Sequence, residues 1–191
     1  IDKDAAILYT INKGKKAKQY TEPISMRDGG TVTAWFANNP SIKTTTTFKK
    51  LETIQTEVIY ASSEEVGDGD AKNLVDGDPA TYWHSMYSVT VAKYPHWVDL
   101  DAGEVKTIKG FTYMPRQDSY NGNVKEYTIH VSMDGKNWGE PVQKGTFAGN
   151  RDEKKVIFSQ PVKGRYIRFT ALSEQYGQDY ASGAELTILA E

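Results

Sequence analysis

Apolar and polar residues alternate with a period of two along most of the chain, the spacing of strands that set one face on a core and the other on solvent. Ile7, Tyr9 and Ile11 alternate with Leu8, Thr10 and Asn12. Val32, Ala34 and Phe36 alternate with Thr31, Thr33 and Trp35, and the run from Thr44 to Phe48 is β-prone. Residues 1–52 therefore predict three or four strands, too few to close a sandwich comfortably without a partner. The polar run Lys49-Lys50-Leu51-Glu52-Thr53 marks a joint, and a domain boundary is placed after residue 52. Beyond it, strands are predicted over 57–61, 96–101, 105–114, 125–133, 154–159, 165–172 and 185–190, with turn signals between them. Asp134-Gly135 reads as a hairpin turn and Asn121-Gly122 as a second two-residue turn. No long window sustains a helical stripe. The pattern predicts an all-β fold, an antiparallel jelly-roll β-sandwich over 53–191 preceded by a small β segment over 1–52.

Composition narrows the function classes. A chain of 191 residues has room for one domain and a partial second. Its 12 Tyr and 4 Trp supply rings with an apolar face and a polar edge, which suit binding surfaces as well as interiors. A net charge of −2 leaves no basic stripe for a phosphate backbone, so nucleic acid is set aside. The basic clusters Lys13–Lys18 and Arg151–Lys155 lie beside turns and read as solvated loops. Absence of cysteine excludes disulfides, thiolate metal sites and cysteine nucleophiles, and leaves the compartment open. No stretch approaches the roughly 18 apolar residues of a membrane helix. A chain opening on Ile-Asp-Lys-Asp, already close to a strand pattern, reads as a piece cut from a longer protein.

The stretch Ala71–Ser85 concentrates oxygen ligands, turn formers and aromatics. Asp76-Gly77-Asp78-Pro79 is a turn signal that points carbonyls inward. With the Asp76 carboxylate and the Thr81 hydroxyl it offers much of the oxygen shell, roughly six to eight ligands, that calcium takes. An ion-free turn is the alternative. Glu64, Glu65, Asp68 and Asp70 are dense but sit in a Gly-rich loop, where carboxylates are more often solvated than paired across a glycosidase cleft. No Gly-x-Ser-x-Gly, His-Glu-x-x-His or P-loop pattern occurs, so no intrinsic catalysis is expected.

Taken in order, several motifs resemble one family. They are Asp76-Gly77 with Thr81-Tyr82-Trp83-His84, Trp97-Val98-Asp99-Leu100, Tyr113-Met114-Pro115-Arg116-Gln117, Asn121-Gly122, Val131-Ser132-Met133-Asp134-Gly135 and Arg165-Tyr166-Ile167-Arg168. The family is the coagulation factor 5/8 type C (discoidin) domain, in the branch of the family 32 carbohydrate-binding modules. The likeness runs over about residues 55–191. It implies a galactose-binding-domain-like sandwich with a structural calcium ion and a shallow sugar site on loops at one end. Residues 7–14, 20–24 and 30–34 are similar to the small Ig-like β-sandwich repeat near the C-terminus of chitobiases and β-hexosaminidases. That repeat's Thr-Asp-Gly is Ile11-Asn12-Lys13-Gly14 here, and its first strand is missing, which implies a truncated spacer.

The resemblance implies calcium ligands at Asn73, Asp76, Asp78, Thr81, Ala184 and Glu185. It implies sugar contacts from His84, Arg116 and Asn121, aromatic plates at Tyr87 and Tyr180, and a hydroxyl acceptor at Glu65, for which Glu64 fits almost as well. A pyranose needs an aromatic plate and a few fixed polar groups, and Arg and His provide a rigid fork and a single lone pair or proton. Structural roles stay open for His84 as a packed histidine and Arg116 as an ion-pair partner. Trp83, Trp97 and Trp138 are assigned to the core, His130 to solvent, and His96 to no function. The expectation is a noncatalytic carbohydrate-binding module, and a monomer. It would target a secreted bacterial glycoside hydrolase, such as a β-hexosaminidase or chitobiase-like exo-glycosidase, to terminal galactose, N-acetylgalactosamine or N-acetylglucosamine. Fucosidase, galactosidase and sialidase are other candidate parents, the catalytic domain of the same polypeptide is the expected partner, and location would be extracellular, periplasmic or cell-surface. The competing expectation is a discoidin-like domain adhering to a protein or phospholipid surface, which the acidic and polar loops Glu64–Asp70 and Ser173–Asp179 disfavour.

Overall fold

Strands with alternating burial dominate the computed structural model, which describes residues 5–24, 26 and 28–191. The chain divides into two compact units, Ile1–Glu52 with Glu191, and Thr53–Ala190.

In the first unit β1 (Ile7–Ile11), β2 (Lys18–Gln19), β3 (Gly30–Phe36) and β4 (Asn39–Phe48) form one antiparallel sheet in the order β2-β1-β3-β4. The register sets Tyr9 opposite Ala34 and Ala34 opposite Thr44, so Tyr9, Ile11, Val32, Ala34, Thr44 and Thr46 share a face. The opposite face carries threonine pairs, Thr31 with Thr47 and Thr33 with Thr45. The described strands of this unit form a single layer, and no described residue of it is buried.

The second unit contains β5 (Glu52–Ile54), β6 (Glu57–Ala61), a 3-10 turn (Ala71–Val75), β7 (Trp83–His84), β8 (His96–Met114), β9 (Glu126–Ser132), β10 (Gln143–Thr146), β11 (Lys154–Ala171), β12 (Ser182–Gly183) and β13 (Glu185–Ala190). The sheet order is β10-β9-β11-β8-β13-β5, with β6 also on β8, and β12 pairs β7 separately. The predicted pairs 96–101 with 105–114 and 154–159 with 165–172 are each one long strand. The first half of β8 pairs β6 and the second half of β11, while its second half pairs β13 and the first half of β11. Register shifts between Ile157 and Val162 and between Gly164 and Tyr166, with Gly103 at φ 75°, let these strands turn from one layer into the other. The result is an antiparallel β-sandwich.

Its core is aromatic. Phe147 stacks on Tyr127 at 4.1 Å and on Tyr113 at 4.9 Å, and Tyr113 stacks on Phe169 at 5.5 Å. Trp83 is fully buried and donates Nε1–H to the Ser63 carbonyl at 3.0 Å. Trp97 and Trp138 differ from expectation. Val98 and Leu100 take the core phase of β8, so Trp97 points to the other face. There Trp97 and Trp138 flank the Arg168 guanidinium at 5.3 and 4.3 Å, and Arg168 forms a fork with Asp99. His130 is half-buried rather than solvent-facing, its Nδ1 donating to the Gly139 carbonyl at 3.1 Å. Asp134-Gly135 makes no tight hairpin, because β9 and β10 are joined by residues 133–142. Asp134 instead folds that loop by accepting the N–H groups of Lys136 and Asn137, both at 2.9 Å. Asn121-Gly122 is a true turn, closed by Asn123 N–H on the Tyr120 carbonyl at 3.1 Å with Gly122 at φ 75°.

Candidate functional site

Alternation along β7 sends Trp83 into the core and leaves its neighbours on the loop side. His84 is anchored on both edges of its backbone: its N–H donates to Gly69 O at 3.1 Å and its carbonyl accepts Glu65 N–H at 2.8 Å. A Cβ at Gly69 would lie 2.7 Å from the Cβ of His84, so only glycine permits this approach. β12 places Ser182 opposite His84, and the Ser182 hydroxyl donates to the Asn121 carbonyl at 2.6 Å. Loops 65–70, 84–88, 119–123 and 179–182 are thereby drawn to one place.

The His84 ring lies between Tyr87 (5.0 Å, edge-on) and Tyr180 (5.4 Å, tilted) and is only 2 % exposed. Burial is the main cause of its lowered pKa, and the nearby Arg116 charge acts in the same direction against the Ser85 carbonyl. Nδ1 lies 2.6 Å from that carbonyl, which can only accept, so Nδ1 carries the proton and Nε2 keeps the lone pair. His84 thus offers a hydrogen-bond acceptor on one ring edge.

Arg116 lays its guanidinium 3.6 Å over the Tyr82 ring and gives Nε and Nη2 to Asp118 at 2.5 and 2.9 Å. Tyr82 and Tyr87 both turn their hydroxyls to Asp68. That bond raises the Tyr87 pKa to about 12. Tyr87, 40 % exposed, is the open plate of the group. Glu65 is turned inward and buried. It accepts the backbone N–H groups of Tyr87 and Ser88 at 2.7 and 2.9 Å and the Ser88 hydroxyl, and the Ser88 hydroxyl is the chief reason its pKa is lowered. It serves to close the Tyr87 loop. Glu64 likewise accepts Ala71 N–H at 2.7 Å. The Asn121 side chain is exposed, and its backbone carbonyl is what joins the cluster.

Tyr180 is held by residues that sequence reading passed over. Tyr94 donates its hydroxyl to the Tyr180 carbonyl, and buried His96 donates Nε2–H to the Asp179 carbonyl at 2.7 Å. Ser85 bonds Ala181 in both directions, at 2.8 and 3.0 Å. Asp68, Tyr82 and Asp118 were also missed. Tyr82, next to the core-facing Trp83, was legible by strand alternation; Asp68 was hidden among other loop acids.

The second predicted cluster is the turn at Asp76. Its Oδ1 accepts Asp78 N–H at 2.9 Å, and Gly77 is at φ 82°. The Thr81 hydroxyl reaches both Asp76 Oδ2 (2.8 Å) and the Asp78 carbonyl (3.0 Å). Asp78 Oδ1 caps its own turn on Ala80 N–H at 3.0 Å, and the Asn73 amide donates to the Tyr82 carbonyl at 3.1 Å. Ala184 is buried, and its N–H donates to the Met114 carbonyl at 2.8 Å. Glu185 faces Asp76 across a hollow of about 120 Å³ lined also by Gly77 and Ile54. Burial first, and then the Asp76 charge, push the Glu185 pKa up to about 7, and its Oε1 is buried without a partner. Facing carboxylates with an orphaned oxygen are short of positive charge, and an all-oxygen donor set fits a hard cation. Among the described residues no three His, Cys, Asp or Glu side chains cluster as a metal site, so backbone carbonyls and Thr81 would have to complete the shell.

Comparison with known proteins places this geometry. Residues 58–186 match the F5/8 type C domain. A sialidase from Micromonospora viridifaciens is 39 % identical over 172 residues, 88 % of this chain and 26 % of the sialidase. A galactose oxidase from Gibberella zeae is 31 % identical over 121 residues, 62 % of this chain and 18 % of the oxidase. The chain therefore spans about a quarter or less of these relatives. The family 32 module of C. perfringens NanJ, solved in complex with galactose, has a TM-score of 0.65 at 27 % identity, covering 73 % of this chain and 98 % of that one. Another Clostridium perfringens family 32 module, solved with GalNAc-β-1,3-galactose, has a TM-score of 0.66 at 31 % identity, covering 72 % and 99 %. With the motif order, the sandwich and the match over 58–186 in agreement, the chain belongs to the F5/8 type C domain family.

Proposed function

We propose that the chain is a noncatalytic carbohydrate-binding module that holds terminal galactose or an N-acetylhexosamine at the cluster around His84. The observation that carries the reading is the neutral His84 edge beside Arg116, flanked by Tyr87 and Tyr180. It occurs on a fold whose solved relatives hold galactose and GalNAc-β-1,3-galactose. Nε2 can accept a hydrogen bond from a sugar hydroxyl whose oxygen in turn accepts one from the guanidinium, and a tyrosine face covers the ring C–H groups. Asp118 and Tyr82 fix the guanidinium, and Glu65 fixes the Tyr87 loop, so little ordering is left to the ligand. With few contacts the affinity is weak, roughly −4 to −6 kcal/mol.

A calcium ion fits the hollow at Asp76 and Glu185, with Thr81 and the carbonyls of Asn73, Asp78 and Ala184 as further ligands. It would tie the first loop to β13 and contribute stability. The module belongs to a longer exported glycoside hydrolase, whose catalytic domain it keeps near its substrate. The parent is of a class such as the sialidase and the lacto-N-biosidase of Bifidobacterium bifidum that it resembles.

A glycan array with wild type and Arg116→Ala in calcium buffer tests the reading. Terminal galactose or N-acetylhexosamine signals lost in the variant are expected, and silence from wild type at high concentration overturns it. Val66 and Val89, both exposed on loops beside Tyr87, favour a second reading, adhesion to a lipid surface. Sedimentation with phosphatidylserine vesicles in place of glycans would reveal that case.

A further inference from the structure

The polar chain at the site does not end at Arg116. Asp118, its partner, also feels the charge of Arg151, which lowers the Asp118 pKa after Arg116 itself. Arg151 holds its guanidinium 4.4 Å over the Tyr120 ring and donates Nη1–H to the Gln117 carbonyl. Its own carbonyl accepts the Gln117 amide at 3.0 Å, so loops 115–123 and 149–153 are tied in both directions. Tyr120 also meets Tyr176, edge to face at 6.1 Å and 83°. These rings are 42 % and 60 % exposed, whereas single exposed tyrosines with no ordered neighbour carry little meaning. Tyr120 adjoins Asn121, whose carbonyl anchors Ser182 opposite His84, and Tyr176 shares with Tyr180 the loop that Glu174 closes through the N–H groups of Tyr176 and Gln178, at 2.6 and 3.1 Å. Gln117, between Arg116 and Asp118, accepts from Arg151, Arg151 covers Tyr120, and Tyr120 meets Tyr176, so successive contacts link the Arg116 loop to Tyr176.

We propose that Tyr120, Tyr176 and Arg151 form a second subsite, adjoining the first, that takes the next sugar of an oligosaccharide of two or more units. Tyr176, the more exposed ring, offers a face for C–H stacking at small entropic cost, and the Arg151 guanidinium lying over Tyr120 supplies donors to hydroxyls. The ligand class then becomes a glycan chain end and not a free monosaccharide. This rests on the carbohydrate-binding reading of the His84 cluster.

Calorimetric titration of the full chain with galactose and with GalNAc-β-1,3-galactose tests it, using wild type and Tyr176→Ala, with Tyr176→Leu as a second variant that keeps bulk but loses the flat ring. Wild type should bind the disaccharide about three- to tenfold tighter than galactose, the range expected of an added aromatic contact. Both variants should lose that preference while galactose affinity and melting temperature stay unchanged. Equal affinity of wild type for the two sugars, or equal loss of both in the variants, overturns the subsite and leaves the His84 site standing. Failure of wild type to bind either sugar overturns both.

Discussion

His84 is uncharged because Tyr87 and Tyr180 remove it from water and Arg116 stands nearby, and His96 is pushed the same way by its own burial. Both bases have folded pKa values below the ordinary 6.5 or so, so the unfolded chain binds more protons between those limits. The stabilising contribution is full above about pH 6.5 and is lost as pH falls towards the folded values. In Glu185→Gln, which removes the carboxylate whose raised pKa of about 7 acts in the opposite direction, melting temperature should therefore decline between pH 7 and pH 5. Proton NMR titration should place both histidines below the ordinary value. Sugar affinity should fall over the same range, because a protonated Nε2 no longer accepts. A flat melting temperature from pH 7 to 5 in Glu185→Gln would contradict the burial of the two rings. That chemistry was only partly legible in the sequence. His84, Arg116 and Tyr87 were visible as residue types able to hold a sugar, but what Glu65 does with its carboxylate depends on a loop 22 and 23 residues away and left no local signal.

Turns and strand ends decide where those side chains stand. Gly122 combines φ 75° with a close approach, since a Cβ there would lie 2.7 Å from Ser182 N. Gly122→Ala should cost about 1–3 kcal/mol. It should weaken galactose binding by pulling Ser182 off the Asn121 carbonyl, a pairing of effects that thermal melts and titration would separate. Three residues beyond Ser182, Glu185 faces Asp76, and the two repel each other without a cation. Calcium should raise the melting temperature with a logarithmic dependence on concentration. Glu185→Gln should raise the stability of the chelated protein while abolishing the calcium response. No response of the wild type to calcium or chelator would remove the ion from this loop. The turn Asp76-Gly77-Asp78-Pro79 was readable from its residues, whereas the 3-10 turn over Ala71–Val75 was not, because one short turn carries no periodic pattern.

Over the whole molecule, burial is distributed unequally. The alternating pattern correctly pointed to an antiparallel sandwich, but it split β8 and β11 into four strands. Residues 102–104 and 160–164 fell between predicted strands, and only pairing across the sheet shows that the ladder continues around the bend. The same pattern in residues 7–48 gave strands of one layer, and there the described residues remain unburied, while the buried hydrophobic residues among those described lie within Thr53–Ala190. Backbone hydrogen bonds in a lone sheet open at small free energy, because little apolar area is re-exposed when they break. Limited trypsin digestion should therefore cut first at Lys15, Lys16, Lys18, Lys43, Lys49 or Lys50 and leave a resistant fragment carrying residues 53–191. Hydrogen exchange should be fast in β1–β4 and slow in β8, β11 and β13. The fragment should bind sugar as the full chain does. Equal protection of both units would mean that the first sheet has found a covering layer in solution, and analytical ultracentrifugation would tell whether a second copy of the chain supplies it.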